Sequence, residues 1–131
     1  MAMSRSENMR RIRSKNTAPE MAVRRLVHGL GYGYRLHGKS APGKPDLVFA
    51  GRRKVIFVHG CFWHQHPGCL NGRLPKTNEA YWLPKLERNL QRDMQAVAQL
   101  SALGWRSLVI WECETKDTSA LTEKLKSFLD S

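Results

Sequence analysis

No apolar run in this 131-residue chain approaches the roughly 20 residues needed to cross a bilayer. The stretch Met1 to Lys15 is polar and basic, without the apolar centre of a signal peptide. Membrane association and export are therefore not expected. Cysteine is scarce and odd in number, at three residues, which argues against a disulfide framework and for a reducing cytoplasm. Acid is scarce as well: 11 Asp and Glu face 22 Lys and Arg, a formal charge of +11. With a pI near 10.1, so small and basic a domain most often meets a polyanion, and nucleic acid is the commonest. The length suits one domain with a modest core, and the apolar share of 41 % is ordinary for a globular chain. No internal repeat and no second domain is visible.

What is present divides into a basic arm, residues 1–16, and a single domain, residues 17–131. Thr17-Ala18-Pro19-Glu20 announces a helix: Thr17 caps it, Pro19 suits its first turn, and Glu20 stands three residues after the cap. Met21, Val23, Leu26, Val27 and Leu30 give it an apolar face, and Gly31 and Gly33 end it. Tyr34 to His37 reads as a short strand. Asp46 to Ala50 and Val55 to His59 read as a strand hairpin, the second run buried on both faces. Glu79 to Leu103 carries Trp82, Leu86, Leu90, Met94, Val97 and Leu100 at helical spacing, as one long helix or two joined near Pro84. Arg106 to Trp111 is a further strand and Ser119 to Phe128 a closing helix. The order α-β-β-β-α-β-α predicts an α/β sandwich of two or three layers around a mixed sheet.

Chemistry concentrates in Val58 to Cys69, which reads V-H-G-C-F-W-H-Q-H-P-G-C. Cys61, His66 and Cys69 have the close spacing of a structural zinc site, and Cys113 offers a fourth ligand from a distant strand end. Spacing alone does not choose between His64 and His66. Pro45-Asp46 opens one strand beside a second that ends in His59, an arrangement many nucleases use to hold Mg²⁺. Their usual second element is an acid-x-Lys triplet, and here Phe57-Val58-His59 has neither acid nor lysine. One Asp and a backbone carbonyl can still serve a hard cation that keeps several waters, with His in place of Lys for the proton. The plainer readings are a turn-ending Asp46, a capping Glu20, and an Asp93 pairing at i,i+4 on a solvated helix face. Phe62 and Trp63 either cover the core or, held rigidly beside a metal ligand, form a wedge for a kinked duplex. Tyr81, Trp82, Trp105 and Trp111 read as core.

Asn8-Met9-Arg10, Thr17 to Glu20, Pro42 to Asp46, Val55 to His64, Trp82 to Asp93, and Leu103 to Arg106 through Trp111-Glu112-Cys113 together resemble the very-short-patch repair (Vsr) endonucleases. The likeness runs from about Asn8 to the end of the chain, and H-G-C-F-W-H is its most specific part. The resemblance implies a restriction-endonuclease-like fold of the PD-(D/E)xK superfamily, a mixed sheet flanked by helices with a structural zinc site. It implies a cytosolic, nucleoid-acting monomer that uses Mg²⁺ to nick one strand of double-stranded DNA beside a T·G mismatch left by deamination of 5-methylcytosine. By matching positions, Asp46 and the Val58 carbonyl resemble the Mg²⁺ ligands and His64 the general acid or base. His59, Glu20 and Asp93 take supporting places. Cys61, His66, Cys69 and Cys113 match the Zn²⁺ ligands, and Phe62, Trp63 and Met9 the residues that enter the base stack. Val58 stands where threonine is usual, His66-Pro67-Gly68-Cys69 is one residue longer than the compact pattern, and the arm is short. The competing readings are a nicking relative with another mismatch or site, and a non-catalytic zinc-stabilised DNA-binding module.

Overall fold

A computed structural model describes residues 17–36, 43–62, 64, 66 and 79–131. The basic arm with Met9, and also Trp63 and Cys69, lie outside the described residues. Helix α1 (Ala18–Gly29) begins where expected: Thr17 is extended, and its side chain accepts the Glu20 N–H at 3.3 Å. Strands β1 (Arg35–Leu36), β2 (Leu47–Phe49) and β3 (Lys54–His59) follow. Helix α2 (Glu79–Ala102), strand β4 (Arg106–Trp111) and helix α3 (Thr118–Asp130) complete the order. The sheet runs β1-β2-β3-β4, antiparallel in its first two pairings and parallel between β3 and β4. The expected hairpin is present, with Val48 opposite Val55. Its connection is a short 3₁₀ turn, Ala50–Arg52, closed by Arg53 at φ +52°, so Ala50 leaves the strand.

Side-chain alternation divides the sheet into two faces. Leu47, Phe49, Ile56 and Ile110 point to one face and pack with Val23 and Val27 of α1 and Leu121, Leu125 and Leu129 of α3. Val48, Val55 and Phe57 point to the other and meet Ala96 and Leu100 of α2. Three layers result. Each fully buried Leu, Ile or Phe contributes about 2 kcal/mol by leaving water, so the two clusters suffice to hold the helices without help from surface pairs.

Helix α2 is one element. Pro84 lies in its second turn, where the missing N–H forfeits a single bond near the start. The buried stripe of α2 differs from the periodicity read above. Trp82, Leu86, Ala96 and Leu100 are buried, whereas Leu90 and Val97 are 38 % exposed and Met94 72 %. The inward row steps 82-86-89-93-96-100, so its two central members are the half-buried polar residues Asn89 and Asp93. Following hydrophobicity alone selects a neighbouring row. Of the other aromatics, Trp82 is core, Tyr81 is exposed, and Trp105 and Trp111 are half-buried.

The end of the sheet away from the β3 C-terminus is tied down by cations. Lys54 is buried, and its ammonium donates to the carbonyls of Phe128 and Ser131, both at 2.7 Å. Arg52 donates to the Leu129 carbonyl at 2.8 Å. Positive charge at a helix C-terminus satisfies carbonyls that have no partner within the helix. Lys54→Met keeps the bulk and removes the donors; it is expected to destabilise the fold by about 2–4 kcal/mol in urea melts. An unchanged midpoint would show that Arg52 suffices.

Candidate active site

Strand parity builds the site. On β3, Val55, Phe57 and His59 share the face turned to α2, and on β2 the same parity carries Val48 and, two residues before it, Asp46. Asp46 joins the sheet through its N–H to the Ile56 carbonyl at 3.1 Å. Its carboxylate accepts the Val58 N–H at 2.6 Å. The Val58 side chain turns the other way and packs against the α1/α3 core, so valine in place of threonine does not alter the cleft. From the opposite wall, α2 presents Asn89 and Asp93. A cavity of about 550 Å³ lies between, lined by Asp46, Val58, His59, His64, Asn89 and Asp93 among others.

After β3 the chain turns back on itself, with His64 N–H bonded to the Gly60 carbonyl at 3.1 Å. This folds the His64 ring onto His59, the two stacked with centroids 3.8 Å apart and planes 7° from parallel. Asp93 joins them: its Oδ2 lies 2.5 Å from His64 Nδ1 and its Oδ1 4.0 Å from His59 Nε2. Burial, and then the neighbouring His64, push His59 down to about 4 against the pull of Asp93. His59 is therefore neutral at pH 7. The carboxylate against Nδ1 of His64 favours the tautomer that carries its proton there. Asp93, which reads in sequence as a solvated helix partner, stands at the centre of this cluster.

A second group lies just beyond it. His66 Nδ1 is 3.8 Å from Cys61 Sγ and 3.4 Å from Cys113 Sγ, and the His66 ring stacks on Trp111 at 4.3 Å. His66 thus joins the cysteines and His64 the carboxylate, the choice that spacing had left open.

Two other residues behave differently from a cleft residue. Phe62 is 8 % exposed and packs on Trp82 and Leu86, edge-on to the Trp82 ring at 5.4 Å. Glu20 is 1 % exposed, takes Arg24 Nη1 at 3.5 Å and is absent from the cleft lining. Conversely, Lys44, Asn89 and Arg92 line the cleft without having been singled out. The 4-3-4-3-4 step from Trp82 to Leu100 was the signal for Asn89, and Arg92 neighbours Asp93.

Gly43 fits the wall to α2. Its φ is +79°, and a β-carbon there would lie 2.4 Å from Cβ of Ala96 and 3.5 Å from the Phe57 ring. Gly43→Ala combines overpacking with a left-handed backbone and should cost about 2–4 kcal/mol. Adding Ala96→Gly should recover the steric part and leave the backbone part. Thermal melts of the single and double variants check this, and equal midpoints for Gly43→Ala and the parent would refute it.

The sequence model of a family described as DNA mismatch endonuclease Vsr matches residues 2–70. The DNA mismatch endonuclease Vsr of Escherichia coli is 41 % identical over 131 aligned residues, covering 96 % of this chain and 83 % of that protein. The type II nicking enzyme V.XorIIP of Xanthomonas oryzae pv. oryzae is 55 % identical, covering 93 % of this chain and 89 % of that protein. The type II nicking enzyme V.NmeAIP of Neisseria meningitidis is 40 % identical over 92 % of this chain and 86 % of its own length. Relatedness of this degree over nearly the whole chain makes the protein a DNA endonuclease of the Vsr family.

Proposed function

We propose that this endonuclease uses Mg²⁺ to nick one strand of duplex DNA beside a T·G mismatch, on a restriction-endonuclease-like fold. The observation that carries the reading is the convergence of Asp46, the Val58 backbone, His64 and Asp93 on one cleft. The donor set suits a hard cation: a carboxylate offers about four lone-pair sites, so Asp46 can accept the Val58 N–H and still ligate, with the Val58 carbonyl as second oxygen. Bound there, Mg²⁺ would polarise the scissile phosphate and stabilise the leaving oxygen.

The chain's own groups do the remainder. His64 Nε2 takes a proton from the attacking water or returns one to the 3′ oxygen, and Asp93 holds the ring in the tautomer that permits either. Neutral His59, stacked beneath, buttresses that ring without adding a competing charge. The water oxygen bonds to phosphorus as the bond to the 3′ oxygen breaks, leaving 5′-phosphate and 3′-hydroxyl ends. Glu20, buried and paired with Arg24, fits a supporting role.

Zinc on Cys61, His66, Cys69 and Cys113 is supported by the spacing of the three of these that lie among the described residues, Cys61, His66 and Cys113. Tetrahedral zinc with Zn–S of about 2.3 Å and Zn–N of about 2.1 Å separates S from N by about 3.6 Å, and the two distances here are 3.8 and 3.4 Å. Mispaired steps unstack at least cost, which suits entry of Phe62, Trp63 and Met9 there. For Phe62 this entry requires leaving its contact with Trp82 and Leu86. The excess of 11 positive charges supports the affinity for backbone phosphates that makes binding fall with salt. The protein would act as a cytosolic monomer on DNA.

A second reading has a specific observation behind it. The Xanthomonas relative, at 55 % identity, is described as a type II nicking enzyme, which favours a nicking endonuclease with a different mismatch or site specificity. Nicking assays on duplexes carrying each mismatch in several contexts decide. Preference for T·G in one context supports the proposal, and equal cleavage of perfect duplex would sink it.

A further inference from the structure

The strand that would ordinarily supply a catalytic lysine here supplies Phe57-Val58-His59. A phosphodiester entering the cleft meets two carboxylates, Asp46 and Asp93, and its own negative charge grows more concentrated at the oxygens as water adds. We propose that Lys44 fills the missing place: its ammonium contacts a non-bridging oxygen of the scissile phosphate and stabilises the transition state. This rests on the phosphodiester-cutting reading above.

Three observations carry it. Lys44 lines the cleft two residues before Asp46, so a group held by one is within reach of the other. Among the described residues the lining contains two cations, Lys44 and Arg92, and Arg92 donates to Asn89 Oδ1 at 2.5 Å on its own helix. Lys44 is the cation on the Asp46 side. No hydrogen bond or ion pair engages its ammonium among the described residues.

The backbone supplies the third. Lys44 sits at φ +49°, one of two non-glycine residues with positive φ among those described. The next residue is the buried Pro45, and a residue before proline is normally extended. A lysine here is strained where glycine would not be, and strain of this kind concentrates where a side chain must be aimed. The turn is packed closely against α2, where Gly43 abuts Ala96. A lysine ammonium is a compact point charge with three donors, suited to a phosphoryl oxygen. No bond to Lys44 forms or breaks.

The test uses the full chain with a duplex that the parent nicks, measuring the single-turnover rate at saturating protein, equilibrium binding and the melting temperature. Lys44→Ala should nick about 100-fold more slowly, while binding changes by less than about threefold because one phosphate contact among many is lost. Lys44→Arg should recover much of the rate. Lys44→Gly separates function from folding: it should be as slow as Lys44→Ala yet melt at or above the parent temperature, since the left-handed turn suits glycine. A Lys44→Gly protein that nicks at the parent rate overturns the inference, as does a defect confined to binding. A parent that nicks no duplex removes the endonuclease reading and this inference together, whereas a parent that nicks beside an equally active Lys44→Gly removes the inference alone.

Discussion

Asp46→Asn should bind mismatched duplex nearly as well as the parent and nick it at least about 1,000-fold more slowly. The amide keeps an oxygen to accept the Val58 N–H, which lies 2.6 Å from the carboxylate, so the β2–β3 geometry survives. It loses the negative charge that makes the position a ligand for a hard cation. Asp46→Ala removes both and should be less stable as well as inactive. The pair therefore separates metal binding from strand support, because only the alanine variant should lower the melting temperature. Parallel binding and nicking assays with both variants check this. Retention of a tenth or more of the parent rate by Asp46→Asn would place the metal elsewhere.

Removal of zinc is the second large effect. Structural zinc contributes about 10–16 kcal/mol in peptides that have no fold without it. Three apolar clusters already hold the described residues together, so the metal's share is smaller. We expect about 4 kcal/mol, the stapling of the segment after β3 to the end of β4, where Cys61 and Cys113 both approach His66. For a domain of this size that corresponds to a fall in melting temperature of about 10–20 °C. Metal analysis should find one zinc per chain, and strong chelation or Cys113→Ala should give the lower melting temperature. Cys61→Ala should be worse, since its thiol is fully buried. Protein without zinc whose melting is unmoved by chelation would refute the ligand set and return Cys113 to the role of a strand-end thiol.

The zinc group and the cleft share one short stretch of chain. The segment from His59 to His66 gives His59 and His64 to one group and His66 to the other, and the turn after Gly60 sorts them: His64 folds back on His59, and His66 reaches on toward Cys113. Loosening the zinc group should thus slow nicking as well as lower stability. Activity lost by Cys113→Ala below its melting temperature would report that link between the two.

The primary structure by itself determined the elements and their order, because each rests on local signals. Thr17 and Glu20 mark a helix start, Gly31 at φ +90° marks its stop, and the run from Val55 to Phe57 is too apolar to lie anywhere but the sheet. It also held the ligand types for both groups within Val58 to Cys69. Tertiary structure alone decided how those residues were shared. His64 and His66 are two positions apart and chemically identical in sequence; a turn and two distant partners, Asp93 and Cys113, assign them. The inward row of α2 was likewise invisible to hydrophobic periodicity, because it turns polar at Asn89 and Asp93 where it crosses the cleft. A site must break the apolar pattern that packs the rest of the helix, so periodicity finds the core and overlooks the chemistry. Lys44 shows the same limit, since only the fold reveals that a lysine before proline is held in a left-handed turn on the wall of the cleft.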